Sequence, residues 1–352
     1  MPESRTVAFA VPGDPDAPTG GYAYDRRVAR ELRESGWTVR ALRLPDAFPH
    51  PDPGSLDRAY ALVAGQPEGV PVLVDGLALG AMPAIGAALG PARPLVALVH
   101  HPLALETGLD EARARALRDS ERTALGAARR VIATSRATAA CLAADYGVPP
   151  GRIVVAPPGT DPAAAATGGG TDGPRLLSVG TLVPRKGHDV LLAALRTLAD
   201  LRWRLTIVGD DGRDAATARS LRALARRPEL AGRVEIVGAV DAEALERHWA
   251  AADVFVLASR HEGFGMACAE AVARGLPVVS TTAGAIAEAV PPGAGALVPP
   301  DDPAALAAAL RTLLVDPGAR ARLADGARRA SAGLVRWPDT AARVAAALEA
   351  AS

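Results

Sequence analysis

Short, uninterrupted apolar runs alternate with stretches rich in Ala, Leu and Arg at helical spacing from one end of the chain to the other. A strand that does not alternate apolar and polar residues is buried on both faces. Such strands belong to parallel sheets covered by helices. The runs predict strands at Thr6–Val11, Thr38–Arg43, Val70–Val74, Leu95–Val99, Val131–Thr134 and Ile153–Ala156 in the first half. In the second half they predict Arg175–Val179, Arg204–Val208, Arg233–Val237, Val254–Ala258 and Pro277–Ser280. Between the halves, PPGTDPAAAATGGGTDGP (Pro157–Pro174) has no periodicity and reads as a flexible connection. The expected fold class is therefore α/β, with two Rossmann-like, doubly wound parallel-sheet domains. The expected boundaries are 1–160, a linker at 161–173, and 174–336. The tail Trp337–Ser352 is expected to be one more helix, packing back on the first domain. In such folds ligands bind outside the C-terminal ends of the strands, which points to a cleft where the two sheets face each other.

Composition narrows the function classes. Of 352 residues, 49% are hydrophobic and 22% charged, which suits globular domains. Lys plus Arg and Asp plus Glu number 39 each, so no global charge favours nucleic acid or an anionic membrane. Peripheral membrane contact through a local patch stays open. Cys141 and Cys268 make no disulfide framework, and a reducing, cytoplasmic setting is the expectation. The apolar run Thr6–Pro12 is too short and too early for a signal peptide. The uncharged stretch Gly76–Ala92 carries four glycines and two prolines, so a strand end and short helix are expected there rather than a membrane span.

Four segments carry candidate chemistry. SRHEGFGMACAEAVARGLPVVS (Ser259–Ser280) follows a buried strand. Gly263 and Gly265 permit close backbone approach, and a helix beginning near Met266 would aim free N–H groups at a ligand. Glu262 lies in that loop. Glu270 is a lone acid on an otherwise apolar helix, which demands a partner, either a ligand or Arg274. After Arg175–Val179, Gly180 and Thr181 begin a turn and Pro184-Arg185-Lys186-Gly187 leads into a helix. That corner offers cations and N–H donors for a diphosphate, without the Gly-Lys-Ser/Thr of a Walker A loop. Gly20 and Gly21 precede the expected helix Tyr22–Ser35, where a phosphate or an acceptor molecule could approach the backbone. His100-His101-Pro102 follows the strand Leu95–Val99, and a neutral imidazole there could bond a sugar hydroxyl or steady developing charge.

Together these segments resemble the retaining glycosyltransferases of family 4. The resemblance rests on Glu262-x7-Glu270 with Gly263-Phe264-Gly265 between, VGTLVPRKGHDVLLAAL (Val179–Leu195), PPGTD (Pro157–Asp161) and TGGYAYDRRVARELRESGW (Thr19–Trp37). It runs in the same order over nearly the whole chain. The resemblance implies the GT-B architecture and an enzyme that needs no cofactor or metal. The donor substrate would be a nucleotide diphosphate sugar of UDP or GDP type and the acceptor a hydroxyl-bearing molecule. It places Glu262 and the N–H groups of Gly263, Phe264, Gly265 and Met266 on the donor sugar, and Glu270 on the ribose hydroxyls. It places Lys186 and Arg185 on the diphosphate and the base near Gly238–Val240. It makes His100 the active-site histidine with His101 beside it, so that His100, Glu262 and Lys186 form the catalytic set. The family's usual Arg is Thr181 here, which leaves the diphosphate clamp leaning on Lys186. The implied mechanism lets the departing diphosphate accept the acceptor's proton, while domain closure excludes water.

Other readings carry less. Asp14-Pro15-Asp16 imitates the metal-binding Asp-x-Asp of the other major glycosyltransferase fold but has no ligands near it in sequence, and the six histidines show no metal spacing. A nucleotide-sugar epimerase on the same architecture would process the donor alone. A non-catalytic sugar-nucleotide binder or partner subunit would not need Glu262, Lys186, Glu270 and His100 together.

Overall fold

Each of those apolar runs forms a strand in the computed structural model, which describes residues 5–169 and 172–352. In the first half these are β1 (Thr6–Pro12), β2 (Thr38–Leu44), β3 (Val72–Asp75), β4 (Leu95–Val99), β5 (Arg130–Ala133) and β6 (Ile153–Val155). They pair in parallel in the order β2-β1-β3-β4-β5-β6, with Thr6 opposite Thr38 and Ala8 opposite Val72. The second half forms β7 (Arg175–Val179), β8 (Arg204–Val208), β9 (Val234–Gly238), β10 (Val254–Leu257), β11 (Val278–Thr281) and β12 (Gly295–Val298), in the order β12-β11-β10-β7-β8-β9. β12 is an addition to the expected set. It is four residues long, half-buried throughout and paired only with β11 at the edge, so it has no long apolar run to announce it.

Both sheets are doubly wound. The chain builds outward from β1 to β2 and then returns to the other side of β1 at β3. It repeats the move around β7, placing β8 and β10 on its two sides. The second sheet shows why its strands do not alternate. Leu176, Val254 and Val256 pack into one apolar cluster, while Leu177, Phe255 and Leu257 pack into another. Successive side chains point to opposite faces and both faces are covered.

The chain divides into two units, Met1–Gly159 with Val335–Ser352, and Thr160–Leu334. The helix Trp337–Glu349 belongs to the first. Trp337 is buried there, edge-on to Tyr24 with ring centroids 5.8 Å apart and under the Arg27 guanidinium. Thr340 Oγ1 donates to the Pro157 carbonyl at 2.7 Å, and Arg129 Nη1 to that of Ala351 at 2.8 Å.

Part of the expected connection, Thr167–Gly169, is tied down by backbone hydrogen bonds. Thr167 and Gly168 donate their N–H groups to the Ala250 carbonyl, and Gly169 donates to the Asp253 carboxylate. A segment without periodicity can still satisfy its backbone wherever a neighbour offers unpaired acceptors. Residues 170 and 171 of that stretch lie outside the described residues.

Replacing Trp337 with Ala should destabilise the first unit by about 3–5 kcal/mol, the range for deleting a buried large aromatic. Urea unfolding measures it. A loss below about 1 kcal/mol would mean that the C-terminal helix contributes little packing to that unit.

Candidate functional site

In the second unit the two loops predicted to carry chemistry emerge from neighbouring strands. Gly180–Gly187 follows β7 and Ser259–Gly265 follows β10, on the two sides of the point where the winding reverses. This is where open α/β sheets leave a crevice at their carboxyl ends. Pro184–Lys186 forms one 3₁₀ turn, and Gly187 joins it to the helix His188–Arg196 at φ 63°. A Cβ on Gly187 would sit 1.9 Å from the Ala258 carbonyl oxygen, so only glycine lets the two loops touch.

Glu262 joins these loops. It is buried, and Lys186 Nζ donates to its Oε1 at 2.6 Å while Ser259 Oγ donates to the same oxygen at 2.6 Å. Arg185 Nη1 reaches Oε2 at 3.4 Å and the His261 carbonyl at 2.9 Å. Burial alone would raise the Glu262 pKa. The two cations and the hydrogen bonds outweigh it and hold the carboxyl down at about 2. The pair is screened from water on both sides, so the charges are fixed in place rather than loosely apposed.

A second layer fixes the loop backbone. The Arg260 guanidinium grips both oxygens of Asp189 at 2.8 and 3.0 Å, bonds Asp301 at 2.7 Å and donates to the Pro184 carbonyl at 2.5 Å. His188 is buried, and its Nε2 lies 3.3 Å from the Gly180 carbonyl. Burial drives the His188 pKa down to about 4, so it is a neutral donor to that carbonyl. Gly180 lies under the aliphatic stem of Lys186, and the Thr181 carbonyl accepts from Val183 N at 2.9 Å.

Gly265 is the N-cap of the helix Met266–Ala273, at φ 97° and without a side-chain cap. The first amides of that helix therefore face outward with no protein side chain on them. Gly263 and Met266 are half-buried. Phe264 and Val240 pack against one apolar cluster of the unit. Glu270 is half-buried and does not pair with Arg274. That guanidinium instead takes Glu246, stacks over Trp249 and donates to the Glu270 backbone carbonyl. Arg274 lies one turn along the helix, but Glu246 and Trp249 draw its guanidinium aside. Burial pushes the Glu270 carboxyl up to about 7, against the pull of Arg274.

The first unit holds His100, Gly20 and Gly21. The glycines form the opening of the helix Gly20–Glu34, capped by Thr19, so the helix begins two residues before the expected Tyr22. Gly21 lies against the His100 ring, where a Cβ would come within 3.4 Å of it, an ordinary van der Waals contact. His100 Nε2 lies 3.1 Å from Asp25 Oδ1 and 3.2 Å from Asp75 Oδ2. His101 turns to Glu106 at 3.4 Å. Among the described residues, Asp25, Asp75 and His100 form the group whose ligand atoms lie close enough to hold a metal ion, all within 4.8 Å. The absence of metal spacing along the sequence does not carry over to the fold.

Comparison with known proteins agrees with this layout. The glycosyl transferases group 1 family matches residues 173–316, and the glycosyltransferase family 4 domain matches residues 72–164. A D-inositol 3-phosphate glycosyltransferase of Geodermatophilus obscurus is 38% identical over 69% of this chain and 56% of its own length. The chain thus spans little more than half of that relative. An MMP alpha-(1->4)-mannosyltransferase of Mycolicibacterium hassiacum is 30% identical over 86% of this chain and 75% of its own. The chain belongs to glycosyltransferase family 4. The structure of a sucrose-phosphate synthase from Thermosynechococcus elongatus superposes with a TM-score of 0.80 at 25% identity, covering 97% of both chains. The fold is accordingly GT-B, built from two Rossmann-like units.

Within this family member, several residues of the two clusters escape a reading by motif. Ser259, Arg260 and His188 read as ordinary loop and helix-start residues. Asp25 lies in a polar helix turn. Asp75 carried one usable signal, since an acid ending the buried run Val72–Asp75 sits at the ligand-binding edge of a parallel sheet.

Glu262 has a folded pKa below its unfolded value, so its stabilisation is present above about pH 4.5 and is lost as pH falls toward 2. Glu262→Gln should therefore be less stable than the parent at pH 7, and the gap should narrow between pH 4.5 and 3. Urea midpoints at each pH provide the check, and a gap independent of pH would contradict the ion-paired state.

Proposed function

We propose that the chain transfers a glycosyl group from a nucleoside diphosphate sugar to a hydroxyl of an acceptor, retaining the anomeric configuration and using no metal ion. The observation that carries this reading is the convergence of Lys186, Arg185 and Glu262 beside the uncapped start of the helix Met266–Ala273. Two fixed cations against one carboxylate leave a local positive charge, and the free amides add to it. That corner suits a diphosphate.

In this reading Lys186, Arg185 and the helix amides bind the diphosphate oxygens. Glu262 and the N–H groups of Gly263, Phe264, Gly265 and Met266 orient the sugar, and the backbone near Val240 borders the base. Glu270 accepts the ribose hydroxyls. Its unpaired, half-buried carboxylate is a poor structural element and a good acceptor for two hydroxyl protons. In the first unit, Gly20 and Gly21 leave backbone open at the start of their helix, and His100 takes the role of steadying developing charge. The bond between the anomeric carbon and the diphosphate oxygen breaks on the face where the bond to the acceptor oxygen forms. The acceptor's proton passes to the departing diphosphate, whose growing negative charge Lys186 and Arg185 stabilise.

The test is transfer from UDP- and GDP-sugars to an acceptor panel that includes D-inositol 3-phosphate, the compound named in the Geodermatophilus obscurus relative. Product anomers are read by NMR. Turnover should persist in excess chelator. An inverted product, or activity that requires added manganese, would refute the reading.

Two variants probe its parts. Thr181 contributes a hydroxyl where the family's usual Arg would add charge, so Lys186 has no equal substitute. Lys186→Ala should lower kcat/KM by about 10²–10³-fold, the effect of removing one electrostatic donor from a desolvated site. Near-parental kcat/KM would remove Lys186 from the diphosphate site. Glu270→Ala should weaken nucleotide binding by about 2–4 kcal/mol. Because its carboxyl titrates near 7 and hydroxyl donors favour the ionised form, affinity in the parent should fall as pH drops below 7. Calorimetry at pH 5.5 and 8 measures this, and a pH slope that survives in Glu270→Gln would assign it elsewhere.

A further inference from the structure

Glu121, on the helix Glu111–Ala127, is a buried acid that the proposed chemistry does not use. Its Oε1 accepts from Leu103 N at 2.8 Å and its Oε2 from Ala104 N at 3.4 Å. These amides open the 3₁₀ turn Leu103–Leu105, which follows His100-His101-Pro102 at the end of β4. Both oxygens are thus spent on the backbone of one loop. An apolar side chain would fill the same space without the cost of burying a carboxyl group. Two adjacent buried amides need two acceptors, however, and this side chain offers one oxygen to each.

We propose that Glu121 is a positioning residue that fixes the turn Leu103–Leu105 and, through it, the place of His100 at the rim of the first sheet. The link is short. Thr134 Oγ1, at the end of β5, donates to the His100 carbonyl at 3.0 Å, so the segment is anchored at His100 as well as at Leu103. Only His101 and Pro102 lie between the anchors, and Pro102 sits at φ −63° and ψ 137° with φ fixed by its ring. A span that short and stiff has little slack, so a shift of Leu103 is passed on to His100. The inference rests on the proposed function for one thing, the loss of turnover that a displaced His100 causes.

Gly80 shows that the placement is built from a third side as well. A Cβ there would come within 2.6 Å of Glu121 Cγ and within 2.6 Å of Leu103 Cδ1. Glycine leaves the room through which the carboxyl group reaches the turn. Gly80 follows the short helix Gly76–Leu79, whose N-cap is Asp75, one of the two acids against the His100 ring. Gly76 in turn packs on β4, where a Cβ would lie 2.9 Å from the Leu98 carbonyl oxygen. The connections that leave β3 and β4 therefore meet at Glu121, and each begins beside the contact between Asp75 and His100. Apolar burial is non-directional and would hold these loops together without orienting them. The paired hydrogen bonds set direction and register.

The test compares the parent with Glu121→Gln and Gly80→Ala in the full chain. Gln keeps the volume but has a single oxygen, so its NH₂ group would face Ala104 N. Gly80→Ala removes no hydrogen-bonding group and crowds Glu121 instead. In transfer from UDP- or GDP-sugars each variant should lower kcat by roughly 10–100-fold, the cost of misplacing a group by about 1 Å. Affinity for UDP or GDP by calorimetry should stay at the parental value, because the proposed nucleotide site lies in the other unit. In a His100→Ala background Glu121→Gln should add almost nothing, since residues that act through one group are not additive. A support role alone would lower the melting temperature, leave kcat of the folded variant parental and keep the two changes additive. That result overturns the proposal, and either variant suffices if the other does not fold. A parent that transfers no sugar counts against the proposed function alone, and ¹⁵N-histidine NMR then decides the positioning role. The His100 ring resonances, assigned by their loss in His100→Gln, should move in Glu121→Gln while those of His188 hold. His100 resonances at their parental positions would overturn it.

Discussion

The second unit is organised around the bond between Glu262 and Lys186. The residues are 76 positions apart and belong to loops after different strands, yet they meet at 2.6 Å with little solvent access. Isolating either charge from water would cost several kcal/mol, so neither loop can leave without exposing or stranding its partner. The constraint reaches outward from there. Gly187 must be glycine for its loop to pass Ala258, Ser259 must donate to Glu262, and Arg260 must hold Pro184 and Asp189. A buried ion pair of this kind is weak as a source of stability, since an apolar pair of similar volume would often do as well. In the proposed function it keeps charge fixed where the diphosphate would bind.

Topology supplies the place. In both sheets the chain begins with an interior strand, builds to one side and then returns to build on the other. Adjacent loops at that point leave in opposite directions and leave room between them. Gly180–Gly187 and Ser259–Gly265 flank this position in the second sheet. The helix Gly20–Glu34 and Asp75 flank it in the first, with His100 one strand further out. Parallel pairing also sends every strand's carboxyl end to the same edge. Side chains far apart in sequence thereby collect at one rim, without any motif that joins them.

That is also why the sequence discloses the parts of each cluster more readily than their pairing. Strands buried on both faces announce themselves as unbroken apolar runs, and all eleven expected runs correspond to strands. β12 lacks the signal because an edge strand of four half-buried residues needs no such run. Glu262, Lys186 and Arg185 stand out by type and position, but nothing local says that they neutralise one another. Glu270 and Arg274 have the i,i+4 spacing of a helix ion pair, yet Glu246 and Trp249 claim the guanidinium and leave the carboxylate alone. The Asp25–Asp75–His100 group was less legible still. Its members lie 50 and 25 residues apart, and each has an ordinary local reading as helix residue, strand end or loop histidine.

The two units solve opposite electrostatic problems by the same physics. In the second, a buried carboxylate is kept ionised by cations. In the first, a buried imidazole is flanked by carboxylates. Burial works against the charged form in both cases, and in both the neighbours outweigh it, moving the Glu262 pKa down and the His100 pKa up. Glu270 shows what happens without such neighbours. Its carboxyl drifts upward toward neutrality, because the pull of Arg274 does not offset burial and two like-charged acids, Glu246 and Asp161. A group left in that state is unfavourable in the ligand-free chain and gains most from a ligand that brings hydroxyl protons to it. The contrast separates residues whose charge the fold has already satisfied from the one whose satisfaction must come from outside. That difference, more than acidity or position in a motif, is what supports the binding role proposed for Glu270.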